Sequence, residues 1–251
     1  MTLLMTTRPS RLTKPNSWRL AERLTVTDSA DDELAEDPPG EIQLEPEPEG
    51  LADVFDTSAD QMRYFADLLS HEGLEQGLLG PREAGRIWSR HLLNCWVLSE
   101  FLPEGVQVAD VGSGAGLPGL VLAIGRPDLS MTLIESMARR CEWLQFCVEE
   151  LGLDNVRIRN ARAEDLRGKQ TFSFLTARAV GNLSTLLGWT APLVKKHGTM
   201  LFLKGASVEA EIDKAKANYV FAKQKVSLPE VLTVSTPLTG EPTRVVRLTK
   251  K

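Results

Sequence analysis

The run Val108-Ala109-Asp110-Val111-Gly112-Ser113-Gly114-Ala115-Gly116-Leu117-Pro118-Gly119 constrains this chain more than any other segment: an apolar stretch ending in an acid, a glycine turn, then a helix start. About 20 residues on, Met131-Thr132-Leu133-Ile134 ends in a second acid, Glu135. Glycines allow positive φ and let a backbone approach a ligand closely, and an acid at the tip of the next strand suits the diol of a ribose. Strand, loop and helix in that order predict a βαβ unit with a nucleoside site at its carboxyl end.

The residues around this turn discriminate between nucleosides. Gly114-Ala115-Gly116-Leu117-Pro118-Gly119 also satisfies the G-x-G-x-x-G dinucleotide pattern, with Glu135 at a tolerable distance. Asp110, two positions before the first glycine, argues against it, because a fixed carboxylate beside a helix N-terminus opposes a pyrophosphate there. S-adenosylmethionine has no phosphate, carries a sulfonium and an ammonium, and accepts a nearby carboxylate through Coulomb attraction or a bridging water. The residues therefore favour a methyltransferase over an NAD oxidoreductase.

With 251 residues, 42% of them hydrophobic and 25% charged, the chain is long enough to bury a sizeable core as one large α/β domain. No stretch approaches the roughly 20 apolar residues that a membrane span requires, so no membrane partner is expected. Cys95, Cys141 and Cys147 form no C-x-x-C pair and are odd in number, which fits reduced buried thiols and supports neither a metal site nor a disulfide framework. The formal charge of -5 is concentrated at one end: residues 1 to 50 hold 5 Lys and Arg against 11 Asp and Glu. The remainder is near neutral, so a nucleic-acid substrate stays open, since a local basic face and not the sum decides it.

Residues 1 to 50 lack helix or strand periodicity and read as a disordered tail. Residues 51 to 101 read as N-terminal helices packed on the core, with candidates at Ala52 to about His71 and Pro81 to about Phe101. Residues 102 to 251 read as the cofactor-binding core. Its expected strands are Gln107 to Val111, Met131 to Glu135, Val156 to Asn160, Phe172 to Ala177 and Thr199 to Lys204. Helices fall between them at about Leu117 to Gly125, Ala138 to Leu151, Leu183 to Lys196 and Val208 to Ala217. Asn182 is a candidate N-cap of the third of these, and Gly198 lies just past its end. Further β-like runs at Lys225 to Leu228 and Thr243 to Leu248 suggest an antiparallel hairpin closing a mostly parallel sheet. The expected fold is thus α/β, a Rossmann-like class I methyltransferase sheet of seven strands preceded by helices.

In such a fold functional residues collect at the strand tips. Asp110, Gly112, Gly114 and Leu117 are placed along the methionine part of the cofactor, Glu135 on its ribose, and Ala163 and Glu164 beside its adenine. Arg178 follows the fourth strand, where it would pair with the cofactor carboxylate or an RNA phosphate, and Lys204 ends the fifth, where a phosphate contact competes with simple solvation. Arg82, Arg86 and Arg90 recur at helical spacing as a basic stripe, read either as a solvated face or as an RNA contact. His91 is equally readable as a packing histidine or a substrate contact. Trp88 is the best-placed aromatic for stacking, although its helical phase favours the core.

Asp110-Val-Gly-Ser-Gly-Ala-Gly-Leu-Pro-Gly119, Leu133-Ile-Glu-Ser136, Arg90-His-Leu-Leu-Asn94, Arg178-Ala179 and Leu203-Lys-Gly205 together resemble the RsmG (GidB) family of small-subunit ribosomal RNA guanine-N7 methyltransferases. The resemblance covers roughly residues 60 to 251, with the segment Gly77 to Ser89 in a form like that of actinobacterial members. It implies S-adenosylmethionine as methyl donor, with Gly112, Leu117, Ala163, Glu164 and Arg178 at the cofactor-binding positions. It also implies 16S ribosomal RNA or the small subunit as partner in a bacterial cytoplasm; the chain is expected to act as a monomer, with Arg90, His91 and Lys204 toward the RNA. Guanine N7 carries a free lone pair, so no catalytic acid or base is expected. The runner-up is a small-molecule methyltransferase, which would need an apolar lid over the pocket; a cofactor-binding protein without catalysis is an alternative of a different class, and an NAD oxidoreductase is third.

Overall fold

A computed structural model describes residues 43–251, and the expectation of a disordered tail over residues 1–42 lies outside the described residues. One seven-stranded sheet, in the order β3-β2-β1-β4-β5-β7-β6, carries the fold. Its strands are β1 (Gln107–Val111), β2 (Ser130–Glu135), β3 (Val156–Asn160), β4 (Phe172–Arg178), β5 (Val194–Lys204), β6 (Glu230–Ser235) and β7 (Pro242–Thr249). The first five run parallel, and β7 is antiparallel to both β5 and β6. The chain leaves β1 toward β2 and β3 and then returns to the other side of β1 as β4, which opens a crevice at the carboxyl ends of β1 and β4.

The helices are α1 (Leu51–Phe55), α2 (Ala59–Ser70), α3 (Glu72–Glu75), α4 (Pro81–Ala84), α5 (Leu93–Trp96), α6 (Gly119–Gly125), α7 (Ala138–Leu151), α8 (Leu183–Thr190), α9 (Val208–Ala217) and α10 (Val220–Lys223). Both faces of the sheet are covered, as near-continuous apolar strands such as β1 require. One core joins Met62, Phe65 and Leu69 of α2, Leu120 of α6 and Trp143 of α7 to Val108 and Leu133. The other joins Leu186 and Leu187 of α8 and Ile212 of α9 to Ala109, Leu175 and Phe202. Each fully buried large side chain contributes roughly 1.5–3 kcal/mol. Among the described residues, no helix is long and apolar enough to cross a membrane.

Several expected boundaries are corrected. The first helix breaks at a 3-10 turn over Asp56–Ser58, and the second divides into α4, a π-helical turn over Ile87–Leu92, α5 and a 3-10 turn over Val97–Phe101. The cause of the second break lies far away in sequence: residues 43–50, expected as the end of the tail, form an extended strap ending in a turn, and the Glu45 carboxylate accepts from Trp88 N at 2.7 Å and Ser89 N at 3.0 Å. These bonds satisfy amides that an unbroken helix would turn inward. Trp88 is buried and offers no stacking surface. Asn182 does cap α8, accepting from Thr185 N at 3.0 Å, but α8 ends at Thr190, and a short turn containing Pro192 leads straight into β5. Gly198 is consequently a strand residue, where an added Cβ would lie 2.7 Å from Ser173 O. At the other end, Pro229 lacks an N–H, and the ladder starts only after it as β6; the run at Lys225 to Leu228 keeps a single bridge, Val226 to Lys250. All three cysteines are free and buried.

Candidate methyl-donor site

A cavity of about 630 Å³ opens in the crevice at the switch between β1 and β4. It is walled by the turn after β1, the tips of β2 and β4, and the segment after β3. The turn works because Gly112 sits at φ 71 in the left-handed region, and a Cβ there would meet Val180 Cγ2 at 2.7 Å. Gly119 serves differently: an added Cβ would strike Leu133 and approach Asp110 Oδ2 to 2.8 Å, so only glycine lets α6 lie this close to the sheet.

Glu135 is nearly fully buried at the tip of β2 and holds the turn in place. Its Oε2 accepts from Gly114 N at 3.0 Å and its Oε1 from Met137 N at 2.9 Å. A carboxylate offers about four lone-pair sites, so both oxygens keep capacity for a ribose diol. Gly112, Gly114, Leu117, Glu135, Ala163, Glu164 and Arg178 all line the one cavity, as does His91. Ala163 and Glu164 begin a 3-10 turn over Ala163–Leu166.

Asp110 and Lys204 are placed differently from expectation. Asp110 is fully buried behind the turn and does not line the cavity; its Oδ2 accepts from Gly119 N at 3.1 Å and its Oδ1 from the Thr176 hydroxyl at 3.1 Å. Burial pushes this carboxyl up to about 6, against the pull of those hydrogen bonds. Its role is to fasten the start of α6 to β1 and β4. Lys204 points inward, its Nζ donating to Gly181 O and to Glu211 Oε2, each at 2.9 Å, with 9% of the side chain exposed. Two of its three donors are thus engaged within the protein, and little of the side chain is open to a phosphate. Arg90 also lies outside the cavity lining and pairs with Glu83 at 3.1 Å, while Arg86 pairs with Glu241 at 3.3 Å. Arg82, Arg86 and Arg90 all stay exposed, although they lie on α4 and the turns after it and not on one continuous helix.

Arg178 faces the cavity, as do Arg140 and Arg162. It donates from Nη2 to His91 Nδ1 at 2.8 Å and from Nη1 to Cys95 Sγ at 3.2 Å. Sequence reasoning missed Leu78, Leu79, Arg140, Arg162 and Trp189 as lining residues. Arg140 carried a usable signal, since it lies in the first turn of the helix that follows Glu135. Trp189 carried none, because only the fold of α8 against the segment after β4 brings it there.

A mostly parallel seven-stranded sheet with an antiparallel final pair, carrying a glycine turn and an acid at the next strand tip beside its switch point, defines a class I S-adenosylmethionine-dependent methyltransferase. The cavity fits that donor: its lining includes the glycine turn, the Glu135 carboxylate with lone pairs to spare, and the Arg178 cation. The model of the GidB family, rRNA small subunit methyltransferase G, matches residues 58–238, and the chain belongs to this family. Ribosomal RNA small subunit methyltransferase G of Thermobifida fusca is 46% identical over 197 residues, covering 78% of this chain and 82% of that protein. The protein of that name from Pseudarthrobacter chlorophenolicus is 48% identical over 196 residues, 78% of this chain and 89% of its own. The one from Streptomyces coelicolor is 52% identical over 177 residues, 70% and 74% respectively.

Proposed function

We propose that this protein transfers the methyl group of S-adenosylmethionine to N7 of a guanine in 16S ribosomal RNA, as a monomer in the cytoplasm. One observation carries the reading: a single cavity gathers the Gly112–Leu117 turn, Glu135, Ala163, Glu164 and Arg178, with membership of the family behind it. In this reading residues 51–101 form a substrate-facing helical layer and residues 102–251 the donor-binding core.

Bound there, the donor would supply a methyl carbon on a positively charged sulfur, open to attack by the N7 lone pair as the carbon–sulfur bond breaks and S-adenosylhomocysteine leaves. N7 bears no proton at neutral pH, so the side chains have none to remove. Their work is to hold the reacting atoms in line, an advantage that reaches about 7–11 kcal/mol in well-oriented systems. The Gly112–Leu117 backbone would lie along the methionine part of the donor, and Glu135 would hold the ribose. Ala163 and Glu164 would flank the adenine, and Arg178 would take an oxyanion. N7 faces the major groove, which in A-form RNA is too narrow for side chains, so the target guanine belongs to a loop or an unpaired region.

The test is to incubate the protein with methyl-labelled S-adenosylmethionine and small subunits or free 16S RNA from a strain lacking it, then map the label. Label at one guanine N7 is expected, whereas label elsewhere on the RNA, or none, overturns the assignment.

A further inference from the structure

The π-helical turn over Ile87–Leu92 places His91 between two charged groups. Its ring is almost wholly buried yet lines the cavity. On one side Arg178 approaches Nδ1 at 2.8 Å. A guanidinium only donates, so Nδ1 must be bare, and a neutral ring then carries its proton on Nε2. On the other side Glu83 Oε2 lies 2.9 Å from Nε2, but off the direction of a ring N–H, and Nε2 is otherwise without a hydrogen-bond partner. Glu83 itself is held by Arg90 Nε at 3.1 Å. Burial and the Arg178 charge push His91 down to about 4, against the opposing pull of Glu83, so the ring is neutral at physiological pH. A merely packed histidine would not require a single tautomer. This one does, because a proton on Nδ1 would point at the Arg178 N–H.

We propose that His91 is a positioning residue: as the Nε2–H tautomer beside Glu83, it offers bare Nδ1 to Arg178 and fixes that guanidinium to receive an oxyanion in the cavity. The oxyanion is either the carboxylate of the methyl donor or a phosphate of the RNA. His91 Nδ1 and Cys95 Sγ engage one N–H on each terminal nitrogen of Arg178, which leaves its other donors for the ligand. Rotating a free arginine into place costs side-chain entropy at every binding event, and the histidine removes that cost in advance. The inference rests on reading the cavity as the methyl-donor pocket.

The test uses the whole chain and three variants. His91→Asn puts an oxygen close to the position of Nδ1, His91→Gln extends toward that of Nε2, and His91→Ala keeps neither. Two-bond proton–nitrogen NMR of the free protein should show His91 unprotonated at Nδ1 and protonated at Nε2. Calorimetry then compares S-adenosylhomocysteine with 5′-methylthioadenosine, which shares the nucleoside and neutral sulfur but lacks the amino-acid carboxylate. If the carboxylate is the partner, His91→Ala weakens the first about tenfold and the second less than about twofold. If an RNA phosphate is the partner, both affinities hold and KM for small subunits rises about tenfold at unchanged kcat. In either arm His91→Asn recovers most of the loss and His91→Gln does not; this pair keeps the question decidable should the alanine variant fail to fold. A protonated Nδ1, an equal loss for both nucleosides, or no change in either affinity or KM overturns the role. Failure of the unmodified protein to bind S-adenosylhomocysteine instead overturns the reading of the pocket, and the inference with it.

Discussion

Replacing Asp110 by Asn separates a structural charge from a functional one. The native carboxyl is pushed by burial from 3.8 to about 6. The folded protein therefore holds its proton more tightly than the unfolded chain, and its contribution is fully present below the unfolded value and lost as pH rises through the folded one. A shift of that size corresponds to about 3 kcal/mol in full, of which about 2 kcal/mol falls between roughly pH 4.5 and pH 7.5. Asn keeps an oxygen for Gly119 N and gives Thr176 an amide in place of the carboxylate oxygen, so the buried geometry survives without the charge. Urea unfolding of both proteins across this range should show the native chain losing about 2 kcal/mol relative to the variant as pH rises, or about 4–8 °C in Tm. At the upper end D110N should match or exceed the native stability. Because Asp110 does not line the cavity, donor affinity should stay within about threefold. Parallel stability curves would refute the buried-charge argument. A fall in affinity of tenfold or more with stability intact would show that the charge acts on the donor directly.

Gly112→Ala adds a Cβ 2.7 Å from Val180 Cγ2 at a φ of 71, so donor binding by calorimetry should weaken about tenfold or more, and V180A in the same chain should restore part of it. Lys204→Met should cost about 1–3 kcal/mol in urea unfolding by stripping Glu211 of a partner, while leaving the salt slope of RNA binding unchanged; a slope smaller by about one would mean a phosphate contact after all. Glu45→Ala leaves the amides of Trp88 and Ser89 without their acceptor, and should lower stability by about 1–3 kcal/mol with faster hydrogen exchange at both; unchanged exchange would deny the strap its part in shaping the π-helical turn.

What the sequence made legible was whatever is decided locally. The limits of β1, β3, α7 and α9 match expectation to the residue, because apolar runs and helical stripes are set by neighbours in the chain. That the glycine turn and Glu135 would line one cavity was equally legible, since a strand, a glycine turn and an acid at the next strand tip are consecutive features. Where expectation failed, a distant contact had intervened. Glu45 reaches the turn at Trp88 across 43 positions, and β5 begins at Val194, beside Phe172 of β4, rather than letting α8 run on. Lys204 read as a surface cation because nothing near it in sequence announces Gly181 as a partner, although Glu211 stands only seven positions away.

The same division runs through the site itself. The turn after β1, Glu135 and the segment after β3 belong to consecutive units of the sheet and are braced by bonds within it, such as Glu135 to Gly114. Arg178, by contrast, takes its orientation from His91, 87 positions earlier, and from Cys95, 83 positions earlier, both on the helical layer before the sheet. That layer is tied to the hairpin by Asn94, which donates to Thr243 Oγ1 at 2.5 Å across 149 positions. Loss of packing between helices and sheet would therefore release Arg178 while the turn after β1 and Glu135 stay in place. Partial destabilisation by urea, followed by hydrogen exchange, should find Ile87–Leu92 opening before β1 and β2. If the glycine turn opened first, that turn would depend on the helical layer as much as Arg178 does.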